Sequence, residues 1–437
     1  MRYSGITPKS KREMLDQVGA KSVEDLLWSI PKEVRSDGNL KIEGPLAEAD
    51  LRARLEAVKG PAPRRSLVGG GIYSHFIPSP VDALCARSEW VTSYTPYQAE
   101  TSQGTLVMYY EFQTYMAMLT GQEIANGGMY DGSTAMVEAV LMAMRVREKA
   151  DPVVWVSGAL NPEYRAVLDT YMRFAEVTVK TLPFDPKSGR TRFDGAAGID
   201  KAAAVVVQSP NYFGVIEDLS GLAPGAFTVG VTTEAMAMAL LDPMPCQIAV
   251  GDTQSFGIPA QLGGPTAGFF ATKKDWVRKM PGRLVGRSKD DQGREAFCIT
   301  LATREQFIRR EKATSNICTS SGLMCLRTTV YLSLLGRRGL EDVARKNAAA
   351  ARFLRSGFEK LGLKPVFDGP IFNEFVIDCS AKPWLYDALL EKDFVLGLPL
   401  DKRFPDMKNK ILVAATELHY QEAQAILEEV KSLATSR

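Results

Sequence analysis

The chain has 437 residues, of which 45% are apolar and 24% charged, and its 53 basic side chains nearly balance 51 acidic ones. This composition is that of a globular protein, and it excludes a disordered chain, a collagen-like repeat and a basic tract for nucleic acid. No apolar run approaches the roughly 18 residues that span a bilayer, and the first residues lack the apolar core of a signal peptide. Because the six cysteines are scattered without a C-x-x-C pair, we expect a cytoplasmic protein. The balanced charge and the lack of a long apolar run predict that it contacts neither nucleic acid nor a membrane.

Histidines are scarce, and only His75 and His419 are present. We therefore expect no metal site and few candidates for histidine acid–base chemistry. The sequence also lacks a G-x-G-x-x-G after a strand, a P-loop and an H-E-x-x-H motif. Difficult chemistry would then depend on a cofactor or on a partner.

The N-terminal part is predicted to form short helices. Residues 22–25 resemble a capping box, apolar residues follow at helical spacing, and Pro31 is expected to end that helix. The stretch 59–65 is rich in Gly and Pro, which predicts a linker. We expect a helical extension over residues 1–65.

From about residue 79 the pattern alternates helices with short apolar strands. Helices are predicted from Ser102 to Thr120, over 133–149, and from Asn161-Pro162, where Asn caps the helix and Pro takes its first position. Strands are predicted at 153–156, 176–180, 204–208, 227–231, 247–250 and 268–271. This alternation indicates a mostly parallel sheet covered by helices, in a large α/β domain expected over residues 66–335.

The C-terminal part has a different pattern. A long helical region is predicted over 319–361, with strands at 372–378 and 411–415 and helices at 382–391 and 420–433. We expect a smaller α+β domain over residues 336–437.

The segment 93–104 is unusually polar for a stretch that precedes a helix. It is either an exposed loop with Ser102 as the helix N-cap, or a polar wall that faces a cleft. The candidate lining residues are Tyr94, Thr95, Tyr97, Gln98, Glu100, Ser102 and Gln103.

A second candidate site begins where glycines lead into Ser133 and Thr134. Free N–H groups and the helix dipole at such a start suit a phosphate, although a tight turn with a Ser/Thr cap explains the pattern equally well. Pyridoxal-phosphate (PLP) enzymes combine such a helix start with an acid at a strand end and a lysine. Glu234 could be the acid, but residues 251–259, after the next strand, contain no lysine.

Longer runs resemble the glycine cleavage system P-protein family. They are YTPYQ (94–98), SQG (102–104), QSPNYFGVIED (208–218), GGP (263–265), GFFAT (268–272), MPGRLVG (280–286), TREQ (303–306) and REKATSNICT (310–319). Such runs extend from about residue 5 to 375. They resemble the N-terminal half of the P-protein, which many bacteria make as a separate subunit 1.

The resemblance implies a fold and a reaction. The large α/β domain would have the PLP-dependent transferase-like fold (fold type I, aminotransferase-like). The family decarboxylates glycine with PLP and passes the aminomethyl group to the lipoyl arm of H-protein. This chain would be active only with subunit 2, in a heterotetramer with two copies of each subunit, and segment 93–104 would complete the cleft of subunit 2.

Gln254 occupies the position of the PLP lysine in this resemblance. The catalytic half of the family has a run like H-K-T-F-C-I-P-H-G-G-G-G-P-G, where this chain has QSFGIP at 254–259 and GGP at 263–265. An amide nitrogen is not nucleophilic and cannot form a Schiff base. The resemblance therefore implies that subunit 2 binds PLP, and that Ser133, Thr134 and Glu234 mark a vestigial site. The chain also departs from the family's N-A-S-M-Y-D-G and V-D-P-like runs, with NGGMYDG at 126–132 and VGVTTEA at 229–235.

Two further features and two rival functions remain open. His75, in the family-like run 72–78, is either structural or faces the active-site cleft. The charged segment 304–312 either organises the subunit interface or is a solvated, internally paired face.

The rival functions are a self-sufficient PLP enzyme that uses another lysine, and a cofactor-free scaffolding or regulatory protein.

Overall fold

The computed structural model describes residues 5–36, 38, 41–59, 62–92, 94–261 and 263–435. The chain divides into two compact units, Met1–Ala62 and Pro63–Arg437. Gly60 and Pro61 of the predicted linker and Ser93 of the polar segment lie outside the described residues.

The first unit contains helices α1 (Pro8–Gln17) and α2 (Glu48–Lys59). The helix predicted behind Ser22 is wrong, because only the 3-10 turn Glu24–Leu27 forms there. The Asp25 carboxylate accepts the backbone N–H of Ser22 at 2.9 Å, so the capping residues close a short turn without starting a longer helix.

The second unit mixes helices and strands. Its described helices are α3 (Ser79–Cys85), α4 (Gln103–Thr120), α5 (Gly132–Val146), α6 (Pro162–Met172), α7 (Gln306–Arg309), α8 (Gly322–Lys360), α9 (Leu385–Leu390), α10 (Glu417–Tyr420) and α11 (Ala423–Ala434). Its described strands are β1 (Arg65–Ser66), β2 (Ile124–Ala125), β3 (Asp151–Ser157), β4 (Thr178–Leu182), β5 (Ala202–Gln208), β6 (Thr228–Thr232), β7 (Ile248–Asp252), β8 (Gly268–Thr272), β9 (Leu284–Lys289), β10 (Glu295–Thr300), β11 (Lys364–Pro365), β12 (Glu374–Asp378), β13 (Phe394–Val395), β14 (Leu398–Pro399) and β15 (Lys410–Ala414).

The large sheet has the strand order β2-β8-β7-β6-β5-β3-β4. The strands β4, β3, β5, β6 and β7 are parallel to one another, and β8 pairs antiparallel with both β7 and β2. The predicted mostly parallel sheet is therefore confirmed. The central strand β5 is buried along its whole length, with helix α5 on one face and residues of the segment 193–226 on the other. Because parallel strands end at one edge, the residues after β6 and β7 meet there, and these include Glu234 and Gln254.

Most predicted helix starts agree with the structure. The Asn161 side chain accepts the N–H of Glu163 at 2.9 Å, and Pro162 takes the first position of α6. Helix α4 ends at Gly121 in the left-handed conformation, as its sequence predicts. Helix α5 ends at Val146, three residues earlier than predicted, because Arg147 leaves helical geometry.

A smaller sheet forms the C-terminal part, with the order β11-β12-β15-β14 and antiparallel pairing throughout. Helices α8, α9 and α11 pack on it around a core that includes Phe358 and Phe375. Helix α8 is interrupted at Gly336, whose φ of 58° and ψ of −175° are not helical. The predicted domain boundary at 335/336 falls at this break, and the three domain ranges stay a prediction.

The hairpin of β9 and β10 was not predicted from the sequence. Both strands carry charged or polar residues among their apolar ones, and the turn between them is held by Asp290. Among the residues that the structure describes, no helix is both long and apolar enough to cross a membrane.

Candidate functional site

Gln254 lies at the start of the loop after β7 and is 1% exposed. Its side-chain oxygen accepts the N–H of Tyr73 at 2.8 Å, and its amide donates to the carbonyls of Tyr73 at 2.9 Å and Ile258 at 2.8 Å. Both amide hydrogens and the oxygen are therefore used inside the protein. A lysine here could not accept the Tyr73 N–H, because an ammonium group has only donors.

The start of α5 is already occupied by carboxylates. Asp131 accepts the Ser133 hydroxyl at 2.6 Å and the Thr134 N–H at 2.8 Å, and the Thr134 hydroxyl donates back to the Asp131 carbonyl at 3.2 Å. Asp252 accepts the N–H of Gly132 at 3.1 Å. Burial raises the pKa of Asp252 to about 6, although hydrogen bonds from Thr266, Gly132 and Gln254 lower it. The donors that a phosphate would need at this helix start are thus taken by two acidic side chains.

Protein atoms also fill the space beside this helix start. A Cβ atom on Gly132 would collide with the Tyr164 hydroxyl and would lie 2.8 Å from the carbonyl carbon of Gly251. Burial raises the pKa of Tyr164 well above its ordinary value. Ser133, Thr134 and Gln254 therefore do not fit a bound PLP: the amine is missing, the phosphate donors are used and the space is packed.

Glu234, at the end of β6, lies in a buried ionic cluster. It accepts hydrogen bonds from Asn373 Nδ2 at 3.0 Å and from His75 Nε2 at 3.3 Å, while His75 Nδ1 donates to Glu417 at 2.8 Å. Burial by itself lowers the pKa of His75, but Glu234 and Glu417 raise it to about 10. The cation beside Glu234 is therefore the imidazolium of His75, whose side chain is only 2% exposed.

Tyr73 and Glu374 extend this cluster. The Tyr73 hydroxyl donates to Glu374 at 2.8 Å, and the Gly70 N–H donates to the other carboxylate oxygen at 2.7 Å. Burial raises the pKa of Glu374 to about 8. A Cβ on Gly69 would collide with the same carboxylate, which explains the glycines at this point. Through Tyr73 and His75, the segment before α3 is thereby bonded to Glu374 of the small sheet and to Glu234 at the edge of the large sheet.

In the polar segment, Gln103 and Ser102 are largely enclosed. Gln103 donates to the carbonyls of Ala99 at 2.7 Å and Phe297 at 2.9 Å, and accepts the Phe297 N–H at 2.9 Å, so it ties α4 to β10. Ser102 occupies the N-cap position of α4, as predicted, although it is buried and its side chain makes no capping hydrogen bond. Thr95 is half-buried.

The rest of the segment is accessible. Tyr94 is 82% exposed and Tyr97 53% exposed, and Gln98 and Glu100 are also exposed. The Tyr97 hydroxyl accepts a hydrogen bond from Arg283 Nη2 at 2.8 Å. These four side chains are available to a neighbouring molecule, and their role in a cleft stays a prediction.

The structure brings some candidates together and keeps others apart. His75, Glu234 and Gln254 meet at the carboxyl edge of the large sheet, whereas the Tyr94–Gln103 segment makes its contacts with Arg283 and Phe297. Sequence reasoning missed Tyr73, Asn373, Glu374, Glu417 and Arg283. The charged Glu374 at the start of the strand Glu374–Asp378, before three apolar residues, was the one available signal. Over the described ranges, no group of His, Cys, Asp or Glu side chains is arranged to hold a metal ion.

The comparisons with known proteins point to one family. The family model described as "Glycine cleavage system P-protein" matches residues 1–430. A protein of Anaeromyxobacter dehalogenans (strain 2CP-C), named probable glycine dehydrogenase (decarboxylating) subunit 1, is 47% identical over 96% of this chain and 97% of its own length. The crystal structure of a glycine decarboxylase (P-protein) of the glycine cleavage system, in inhibitor-bound form, is 40% identical with a TM-score of 0.87, and the match covers 99% of this chain and 100% of that one.

More distant structures share the fold alone. A sphingosine-1-phosphate lyase of Burkholderia pseudomallei K96243 is 14% identical with a TM-score of 0.65, over 90% of this chain and 92% of that one. These neighbours confirm the predicted fold type I architecture of PLP-dependent enzymes.

Proposed function

The chain belongs to the glycine cleavage system P-protein family, and from this we propose that it is subunit 1, the subunit without the PLP lysine, of a glycine dehydrogenase (decarboxylating). It would act with subunit 2 in a cytoplasmic heterotetramer with two copies of each. Gln254 carries the proposal, because its three hydrogen bonds make it a structural residue at the lysine position.

The reaction would take place in the cleft of subunit 2. PLP bound there would supply the electron sink for the decarboxylation of glycine, and the aminomethyl group would pass to the lipoyl arm of H-protein. This chain would cover the cleft, exclude water from it and present Tyr94, Tyr97, Gln98 and Glu100 to it. Their exposure in the single chain supports this role.

Two rival functions have distinct signatures. A self-sufficient PLP enzyme that uses another lysine would show a visible absorbance band in the purified chain. A cofactor-free scaffolding or regulatory protein would not assemble with subunit 2. The packed helix start at Asp131 and the imidazolium beside Glu234 favour the proposed function over the first rival.

Reconstitution tests the proposal. The exchange of the glycine carboxyl carbon with bicarbonate is measured for this chain alone, for subunit 2 alone and for the mixture. We expect exchange only in the mixture, together with co-elution of the two chains. Exchange by this chain purified without subunit 2 would contradict the proposal, and so would a mixture that neither co-elutes nor reacts.

A further inference from the structure

We propose that Arg283 is a positioning residue that holds the Tyr97 hydroxyl so that its proton points out of this chain, toward an anionic group in the cleft of subunit 2. The inference rests on the proposed function, because the cleft belongs to the partner. It names what Tyr97 would do there, which is to donate a hydrogen bond to a negatively charged acceptor.

The side chain of Arg283 is largely buried, although most arginine side chains lie at the protein surface. Its side chain is 10% exposed, whereas Arg287, in the strand that follows, is 63% exposed. Arg287 pairs with Glu295 across the hairpin at 3.3 Å, as surface arginines commonly do. Burying a guanidinium is costly unless its donors are paired, so the partners of Arg283 must account for its place.

The pairing of Arg283 inside the chain is incomplete. Its Nε lies 3.8 Å from Glu305, a side chain that is 8% exposed, and this Nε makes no hydrogen bond. Arg304, the neighbour of Glu305 in sequence, donates instead to the backbone carbonyls of Met280 and Gly282. A buried donor without a hydrogen bond is unfavourable, so the contact with Glu305 alone does not account for the arrangement.

The remaining partner of Arg283 is Tyr97. Nη2 donates to the Tyr97 hydroxyl at 2.8 Å, and the guanidinium carbon lies 5.1 Å from the ring centroid. Phe307 contacts the ring edge-on, with centroids 6.2 Å apart. The phenol is therefore held by a cation and by a second ring, although Tyr97 is 53% exposed.

This geometry fixes the direction of the phenolic proton. A guanidinium has only donors, so the Tyr97 oxygen must accept, and its own hydrogen must point elsewhere. Because Tyr97 is 53% exposed, an acceptor on another chain can approach this residue. A positive charge behind the oxygen also makes the hydroxyl a stronger donor, and such a donor suits an anionic acceptor such as a carboxylate.

The test compares Arg283→Gln, Arg283→Lys, Tyr97→Phe and the Arg283→Gln/Tyr97→Phe double variant, with Arg287→Gln as the matched control. Each chain is assembled with subunit 2, and kcat and KM for glycine–bicarbonate exchange are measured beside co-elution and melting temperature. We expect Arg283→Gln and Tyr97→Phe each to lower kcat/KM by about 10- to 100-fold with assembly intact. The double variant should be no slower than Tyr97→Phe, Arg283→Lys should recover part of the rate, and Arg287→Gln should match the unmodified chain.

Several outcomes would overturn the proposal. If Arg283→Gln has the rate of the unmodified chain while Tyr97→Phe is slow, the arginine does not act through the phenol. The same conclusion follows if the loss of kcat/KM in the double variant is the product of the two single losses. Failed assembly of both Arg283 variants would make Arg283 a residue of the fold or interface. Unmodified rates for Tyr97→Phe would overturn this inference but leave the proposed function standing, whereas an inactive complex of unmodified chains would overturn the proposed function itself.

Discussion

At the residue scale, Gln254 is a buried amide whose hydrogen bonds are all made inside the chain. Its amide closes hydrogen bonds with both the N–H and the carbonyl of Tyr73 and so fixes the segment that carries His75. An amine placed there would lose the acceptor for the Tyr73 N–H, and leaving such a buried donor unsatisfied costs roughly 1–3 kcal/mol.

We therefore expect Gln254→Lys to lower stability without creating a PLP lysine. Incubation with PLP, borohydride reduction and peptide mapping measure the label, and urea unfolding measures the stability. Gln254→Met is the control, because it loses the same hydrogen bonds without gaining an amine. Stoichiometric labelling of position 254 would show that the site still accepts the cofactor.

The His75 imidazolium predicts a pH-dependent stability. Its folded pKa of about 10 lies above the ordinary 6.5, so the protonated form favours folding. This contribution is complete below about pH 6.5 and is lost as the pH rises toward 10. Removing one partner of a buried ion pair costs roughly 3–5 kcal/mol, because Glu234 and Glu417 would be left unpaired. We expect His75→Gln to be destabilised most at mildly acidic pH and least near pH 10, measured by urea unfolding across this range.

His419 provides the internal control for this experiment. Burial lowers the pKa of His419, and its Nδ1 accepts the N–H of Thr416 at 2.9 Å, so it is neutral in the fold. Its contribution is lost as the pH falls below about 6.5. The stability difference for His419→Gln should therefore change with pH in the opposite direction. Parallel pH profiles for the two variants would contradict the assigned charge on His75.

The sequence could indicate Gln254 but not the cluster around His75. The lysine position follows from the resemblance of residues 254–265 to the family's run, whereas His75 and Glu417 are 342 residues apart and meet only in the folded chain. No periodicity or capping pattern carries information about such a contact. For the same reason, the isolated Arg283 in a turn before a strand gave no sign of its bond to Tyr97, 186 residues away.

At the scale of elements, buried strands were predictable and polar ones were not. β5 and β7 are continuously buried runs, so hydrophobicity alone locates them. The β9–β10 hairpin is partly exposed, and its pairing of Leu284 with Thr300 depends on a turn rather than on an apolar run. The 3-10 turn Glu24–Leu27 was mistaken for a helix because capping residues close short turns as well as helices.

The break in α8 at Gly336 predicts how the addition of one methyl group there changes the free energy of unfolding. Gly336 has a φ of 58°, and nothing lies within 4 Å of the place where a Cβ would be. Gly336→Ala should therefore destabilise by about 1–3 kcal/mol through backbone strain alone. Gly104→Ala in α4 is the control, since it also has open space but no left-handed φ, and it should be neutral or stabilising by up to about 1 kcal/mol. Equal unfolding midpoints for Gly336→Ala and the unmodified chain would mean that the break straightens at no cost.

At the scale of the whole molecule, the chain has the fold of PLP-dependent enzymes, and polar side chains pair with one another at the carboxyl edge of its large sheet. The imidazolium of His75 pairs with Glu234, and the carboxylates of Asp131 and Asp252 accept hydrogen bonds at the start of α5. Apolar and aromatic groups remain exposed around the polar segment, including Val91 at 65%, Tyr94 at 82% and Phe307 at 51%. Together with Trp90 and Leu323, Tyr94 lines a groove of about 410 Å³.

The difference between the paired polar groups at the sheet edge and the exposed residues around Tyr94 predicts which ligand stabilises the isolated chain. A ligand that binds only the folded state at a hundred times its Kd raises the unfolding free energy by about 2.7 kcal/mol. Because Gln254 is not an amine and the hydrogen-bond donors at the start of α5 are already paired, excess PLP should leave the melting temperature unchanged. Subunit 2 should raise it, because assembly would cover the exposed residues around Tyr94. The measurement is thermal unfolding of this chain with PLP, with subunit 2, and with a subunit 2 whose own PLP lysine has been replaced. A melting temperature that rises with PLP alone would place a working cofactor site in this chain, and one that rises only with lysine-bearing subunit 2 would make the cofactor itself part of the assembly signal.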